Sequence, residues 1–145
     1  SGTVRHASRM FVVGASLTVP LFTVILRKGY GLGAQAMAGG SFKAPFFTVA
    51  WPTGEFGGMG LEGAVKLGFR KELEAVDDPE ERKALFDQMV ARMYEHGKAT
   101  NHASAFEIDD VIDPADTQRW IVSGLRSLPA PAPRTGKKRP CIDTW

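Results

Sequence analysis

Apolar residues crowd the first fifty positions in two different rhythms. From 4 to 17 they dominate a helix-compatible stretch that carries Arg5, His6 and Arg9 near its start, so a helix is expected there. Val19-Pro20 breaks it, and Leu21 to Leu26 is a short run rich in β-branched side chains, the pattern of a buried strand. Arg27-Lys28-Gly29-Tyr30-Gly31-Leu32-Gly33 reads as the turn leaving that strand. Ala34 to Ala38 reads as a short helix stopped by Gly39-Gly40. Pro45 to Trp51 is a second buried strand, ended by Pro52; Thr53 to Gly60 is glycine-rich loop; Leu61 to Phe69 returns to helical spacing.

The second half is more polar and its boundaries are sharper. Asp78-Pro79-Glu80-Glu81 combines a capping carboxylate, proline at the first helical position and acids in the first turn. The helix it starts should reach His96, with Leu85, Met89, Val90, Met93 and Tyr94 on its apolar side and Gly97 at its end. A short helix near Asn101 to Ala105 and a strand at Val111-Ile112 follow. Asp113-Pro114-Ala115-Asp116 then caps a last helix to about Leu128. Short strands separated by helices predict an α/β fold with helices covering a parallel sheet. The expected division is a folded unit over 1–128 and an extended tail over 129–145, where proline, alanine and basic residues collect.

Composition narrows the function classes. At 145 residues, 43% hydrophobic and 23% charged, the chain can bury a core of its own. A net charge of +2 gives no case for nucleic acid, and Lys137-Lys138-Arg139 is best read as a solvated end. No charge falls between Arg9 and Arg27, but Gly14, Ser16, Thr18, Pro20 and Thr23 interrupt that stretch, so neither a membrane span nor a signal peptide is expected. The single cysteine, Cys141, excludes an intramolecular disulfide and fits a reducing cytoplasm. Apolar sequence begins within a few residues of Ser1-Gly2, as in a segment of a longer chain.

The strand–turn–helix order places Gly31 to Gly33 beyond the carboxyl end of a strand, the edge where ligands gather in such folds. Two readings stand side by side. One is a plain tight connection. The other is an oxyanion site, in which amide N–H groups left unpaired at a helix start converge on a developing negative charge. A dinucleotide fingerprint fails because Ala36 stands where a third glycine belongs, and no Walker A loop occurs.

Side-chain chemistry is sparse. His6, His96 and His102 lack metal-binding spacing, and Ser41 and Ser104 lack a nucleophile elbow. His96 is read as a favourable charge at a helix end, His102 as a helix cap with a cleft position as its alternative, and Glu55 as solvated with a polar cleft position as its alternative. Asp109 or Asp110 is a candidate salt-bridge partner for Arg27 or Arg70.

Four segments in order carry a resemblance: Arg27 to Gly31; Ala50-Trp51-Pro52-Thr53-Gly54-Glu55; Met59-Gly60-Leu61-Glu62-Gly63-Ala64-Val65; and Phe106 to Pro114 with Thr117 and Arg119. Together they resemble the carboxyltransferase β chain of acetyl-CoA and propionyl-CoA carboxylases, in the later part of its C-terminal subdomain. The resemblance implies a crotonase-like β-α spiral, here part of one subdomain, and self-association with other β chains. It implies carboxyl transfer from carboxybiotin, carried on a separate carrier protein with its biotin carboxylase partner, to the α-carbon of an acyl-CoA. The amides of Leu32 and Gly33, introduced by Gly31 and followed by Ala34, would hold the biotin ureido oxygen, and Gln35 would line the biotin and substrate pocket. The family commonly reads Gly-Gly-Ala where this chain has Gly31-Leu32-Gly33. The alternatives are a non-catalytic crotonase-like assembly module and, more remotely, an acyl-CoA hydratase-type enzyme.

Overall fold

The computed structural model describes residues 2–133 together with 135 and 136. Cys141, Trp145 and the basic run 137–139 lie outside the described residues. Helix α1 (Thr3–Ala15) leads into β1 (Phe22–Ile25), β2 (Lys28–Tyr30) and α2 (Gly31–Met37). The same order repeats in β3 (Phe47–Ala50), β4 (Glu55–Gly57) and α3 (Leu61–Gly68). Then come α4 (Arg70–Glu74), α5 (Pro79–His96), α6 (Ala99–Ser104), β5 (Asp110–Val111), a 3-10 turn (Pro114–Asp116) and α7 (Thr117–Ser127).

The repeat builds a spiral. β1, β3 and β5 form one parallel sheet in sequence order, while β2 and β4 form a second parallel pair. Each pass of the chain lays down a strand beside the previous one and returns through helix, as parallel pairing requires. The segment 27–33, expected as turn, and 53–60, expected as loop, therefore contain strands. Each is only three residues long and glycine-bearing, with no alternation for a sequence pattern to register.

β3 is the middle strand and is buried at every position. On one side Phe47, Val49 and Ile112 pack with Phe22, Trp120 and Ile121; on the other Ala50, Phe56, Ala99 and Ile108 pack with Ile25 and Phe42. A strand covered on both faces should read as a continuous apolar run, and Pro45 to Trp51 does apart from Thr48. Thr48 is fully buried; its hydroxyl donates to the Phe42 carbonyl at 2.6 Å.

Asp78 caps α5, accepting from the amides of Glu80 and Glu81 at 2.8 and 2.9 Å. Leu85, Phe86, Met89, Val90, Met93 and Tyr94 form its half-buried stripe. Gly97 does end the helix, but at φ −76, not in a left-handed conformation. Glycine is needed there because a side chain would begin 2.3 Å from the Phe56 carbonyl oxygen, where the chain runs against β4.

Asp109 does not pair with Arg27 or Arg70. Its carboxylate accepts from the Thr48 amide at 2.7 Å, while its own amide donates to the Thr48 carbonyl at 2.8 Å. Asp110 accepts from the Val111 amide, and Arg70 pairs with Glu74. Asp109→Ala is expected to lower stability by about 1–2 kcal/mol, because the buried Thr48 N–H loses its acceptor. Urea unfolding of Asp109→Ala beside Asp109→Asn, which keeps an acceptor oxygen and should lose less, measures this.

Candidate functional site

The glycine turn sits where β2 ends. Tyr30 is extended at φ −102, and Gly31 then takes φ +62 to start α2. A side chain at Gly31 would be strained by that φ and would begin 2.8 Å from the Gly58 carbonyl oxygen, so the turn is glycine's by conformation and by space. No side chain caps α2. The amides at its start, Leu32 and Gly33 among them, have no acceptor within the helix. Leu32 is 71% exposed, so its side chain leaves the turn while its amide stays. Nothing lies within 4 Å of where a side chain at Gly33 would begin.

A cleft of about 320 Å³ opens beside the turn, walled by Gly31, Leu32, Gln35, Phe56, His102 and Glu107 among others. Of the expected site residues, Gly31, Leu32 and Gln35 line it, whereas Gly33 and Ala34 stand on the same helical turn just outside its wall. A larger groove of about 700 Å³ runs elsewhere, between the end of α1 and the end of α7, and carries no titratable side chain.

Two residues read otherwise from sequence belong to this neighbourhood. His102 is a cleft residue and not a cap: its ring stacks on Phe56 at 4.5 Å between centroids, and Nδ1 lies 2.5 Å from a Glu107 carboxylate oxygen. The capping is done by Asn101, whose amide donates to the carbonyls of Glu95 and His96 at the end of α5. Glu55 is half-buried and accepts from the Tyr30 hydroxyl at 2.8 Å, tying β4 to β2 beside the turn. Burial first, then the hydrogen bond and charge of Glu55, push the Tyr30 phenol well above its ordinary range.

Glu107 reaches His102 through the way α6 ends. The Glu107 amide donates to the His102 carbonyl and the Phe106 amide to the Ala103 carbonyl, with Phe106 at φ +58. This is the paired closure usually made by glycine at the left-handed position. Phenylalanine there carries about 1–2 kcal/mol of strain. An i, i+5 pair across a left-handed residue has no sequence signal, which is why the pairing escaped the sequence reading. Among the described residues no group of three or more His, Cys, Asp or Glu could hold a metal, and no helix is long and apolar enough to cross a membrane.

The carboxyl transferase domain matches across residues 1–139. The chain belongs to the carboxyl transferase domain family. Among curated relatives, the methylmalonyl-CoA carboxyltransferase 12S subunit of Propionibacterium freudenreichii subsp. shermanii is 41% identical over 128 residues, covering 86% of this chain and 23% of the relative. The propionyl-CoA carboxylase carboxyltransferase subunit of Haloferax mediterranei is 38% identical over 130 residues, 88% of this chain and 24% of the relative. Among solved structures, a single-chain, multi-domain long-chain acyl-CoA carboxylase is 63% identical with a TM-score of 0.72, covering 84% of this chain and 12% of the other. The transcarboxylase 12S hexamer is 36% identical with a TM-score of 0.75, covering 97% and 27%. The fold is thus the crotonase-like spiral of the carboxyltransferases, and the chain spans about a quarter of the length of the curated relatives it matches.

The fold favours a neutral Tyr30. Its contribution to stability is present below the ordinary tyrosine value of about 10 and is lost as pH climbs through the raised native value. Denaturant unfolding above about pH 10 should therefore show stability falling more steeply with pH for the native sequence than for Tyr30→Phe.

Proposed function

We propose that this chain supplies the biotin-side half of a carboxyltransferase site, for transfer of carboxyl from carboxybiotin on a carrier protein to the α-carbon of an acyl-CoA. The observation that carries the reading is the turn: a left-handed Gly31 pressed against Gly58, followed by first-turn amides that no side chain caps, at the edge of a cleft. A cleft of about 320 Å³ is at the small end for a ligand site and suits a compact bicyclic head group.

Carboxybiotin supplies the carboxyl group. The Leu32 and Gly33 amides would hold its ureido oxygen, where fixed backbone dipoles stabilise negative charge. Gln35, half-buried in the cleft wall, orients the acyl group or the ring against that pair. The thioester carbonyl needs a second oxyanion site from another part of the enzyme. The scarcity of titratable side chains fits a reaction carried by backbone dipoles.

The names of the relatives favour methylmalonyl-CoA or propionyl-CoA and longer acyl-CoA substrates, and the hexameric 12S relative supports self-association. The partners are a biotin carrier with its biotin carboxylase and further carboxyltransferase chains, working in the cytoplasm.

Proline in place of Leu32 deletes one donor while remaining compatible with a first helical turn. In a complete carboxyltransferase containing this chain, Leu32→Pro should reduce turnover about 100- to 1,000-fold with the fold retained by circular dichroism. Unchanged turnover would refute the oxyanion assignment. The 145-residue chain by itself should transfer no carboxyl above background in a carboxybiotin-to-acyl-CoA assay. Biotin binding separates this reading from an assembly module, which should bind none.

A further inference from the structure

The cleft beside the glycine turn is small for all that the proposed reaction must hold. At about 320 Å³ it suits a compact head group and leaves little space for a long acyl chain beside it. Space of the right character lies at the other end of α2. There a cavity of about 410 Å³ is walled by Met10, Val13, Ala36 and Met37 among others, with Arg9 its one titratable side chain. It adjoins the groove of about 700 Å³, whose wall has no titratable side chain and only Thr18 as a polar one. The two share Gly14, Leu17, Leu21 and Gly39, and no side chain at either glycine divides them. Together they make an apolar gallery in which Met10, Val13, Leu17, Phe46 and Leu125 are each 40–52% exposed, surface that a hydrocarbon would take out of water. Helix α2 joins gallery and cleft. Leu32 and Gln35 wall the cleft, Ala36 and Met37 wall the gallery, and Leu32, Gln35 and Ala36 fall on one side of the helix at i, i+3 and i+4. Its seven residues span about 10 Å. A long acyl chain covers that distance and a propionyl group does not.

We propose that this gallery holds the hydrocarbon tail of a long acyl-CoA whose reacting end lies at the cleft, and that Leu17, where the two cavities meet, is a specificity-determining residue for chain length. The inference rests on the acyl-CoA reading above and deepens it for the longer substrates. A wall with almost no polar side chains recognises a hydrocarbon by the area it buries, so it selects for length and against charge. A short acyl group never reaches it and gains nothing from it.

The test is kcat/KM in a complete carboxyltransferase containing this chain, with propionyl-, octanoyl-, dodecanoyl- and palmitoyl-CoA. For the native sequence kcat/KM should climb once the acyl chain outgrows α2, by up to about fourfold for each added CH2, and level off when the gallery is full. Leu17→Asp sets a charge where the tail passes and should lower the dodecanoyl-to-propionyl ratio of kcat/KM about tenfold or more. Leu17→Met, an apolar side chain of similar volume, should keep that ratio within about threefold of the native value. Leu125→Asp repeats the test from α7, at a half-exposed position where a charge costs the fold little. A ratio that neither aspartate moves overturns the proposal. An equal loss with propionyl- and dodecanoyl-CoA also overturns it, and dissociation of the same variants in sedimentation velocity would make the gallery an interface between copies of the chain. A native enzyme that carboxylates propionyl-CoA and gains nothing from longer chains overturns it without any variant and leaves the carboxyl-transfer reading standing. An enzyme that carboxylates none of the four overturns that reading itself.

Discussion

Everything in this chain is hung on β3. A parallel strand in mid-sheet is covered on both faces, so its backbone groups must be paired without help from water. β1 supplies one edge in full register, Phe22 to Ile25 against Phe47 to Ala50. The other edge is met by β5, which is only two residues long, and the Asp109 carboxylate completes it on the Thr48 amide. A side chain thus stands in for a missing strand residue. The same economy joins the last helix to the sheet, where the Trp51 indole donates to the Thr117 hydroxyl at 3.0 Å.

These contacts give physical content to motifs that began as a resemblance. Trp51 and Thr117, Thr48 and Asp109, and Tyr30 and Glu55 are far apart in sequence, yet each pair makes a hydrogen bond. Two of the three pairs fall wholly within the motif segments. Much of what marks the family in this chain is therefore the fastening of one pass of the spiral to the next, and the residues that face the cleft are fewer. Glu55 looks like a solvated loop carboxylate until the second sheet brings Tyr30 over it, and Asp109 looks like an ion-pair partner until β3 needs an acceptor.

What could be read from sequence follows from how local each signal is. The α5 cap at Asp78-Pro79 lies within four residues, so the helix start was legible at once. Two strands of the large sheet, β1 and β3, showed as apolar runs, although only β3 is buried and β1 is half-buried, and the position of the glycine turn followed from their order. The paired strands β2 and β4 were illegible because three glycine-bearing residues have no periodicity, and they exist through pairing with one another. His102 was misplaced for a related reason. Its partner comes from beyond a left-handed Phe106, a conformation that phenylalanine gives no cause to expect.

The split strands also explain where the cleft must be. In the first two passes the chain leaves the large sheet, pairs briefly in the small one and then turns into a helix, so the small sheet lies next to the starts of α2 and α3. β2 delivers Gly31 and Leu32, β4 delivers Phe56 and Gly57, and α6, pinned to β4 through the Phe56–Gly97 and Gly54–Ala99 backbone bonds, delivers His102. These segments, distant in sequence, meet there because β2 and β4 stack in parallel register and the chain entering α6 runs back along β4. Backbone amides enter from the first pass and the His102 ring from the return that follows β4. A slip of either strand by one residue would move one wall of the cleft away from the other.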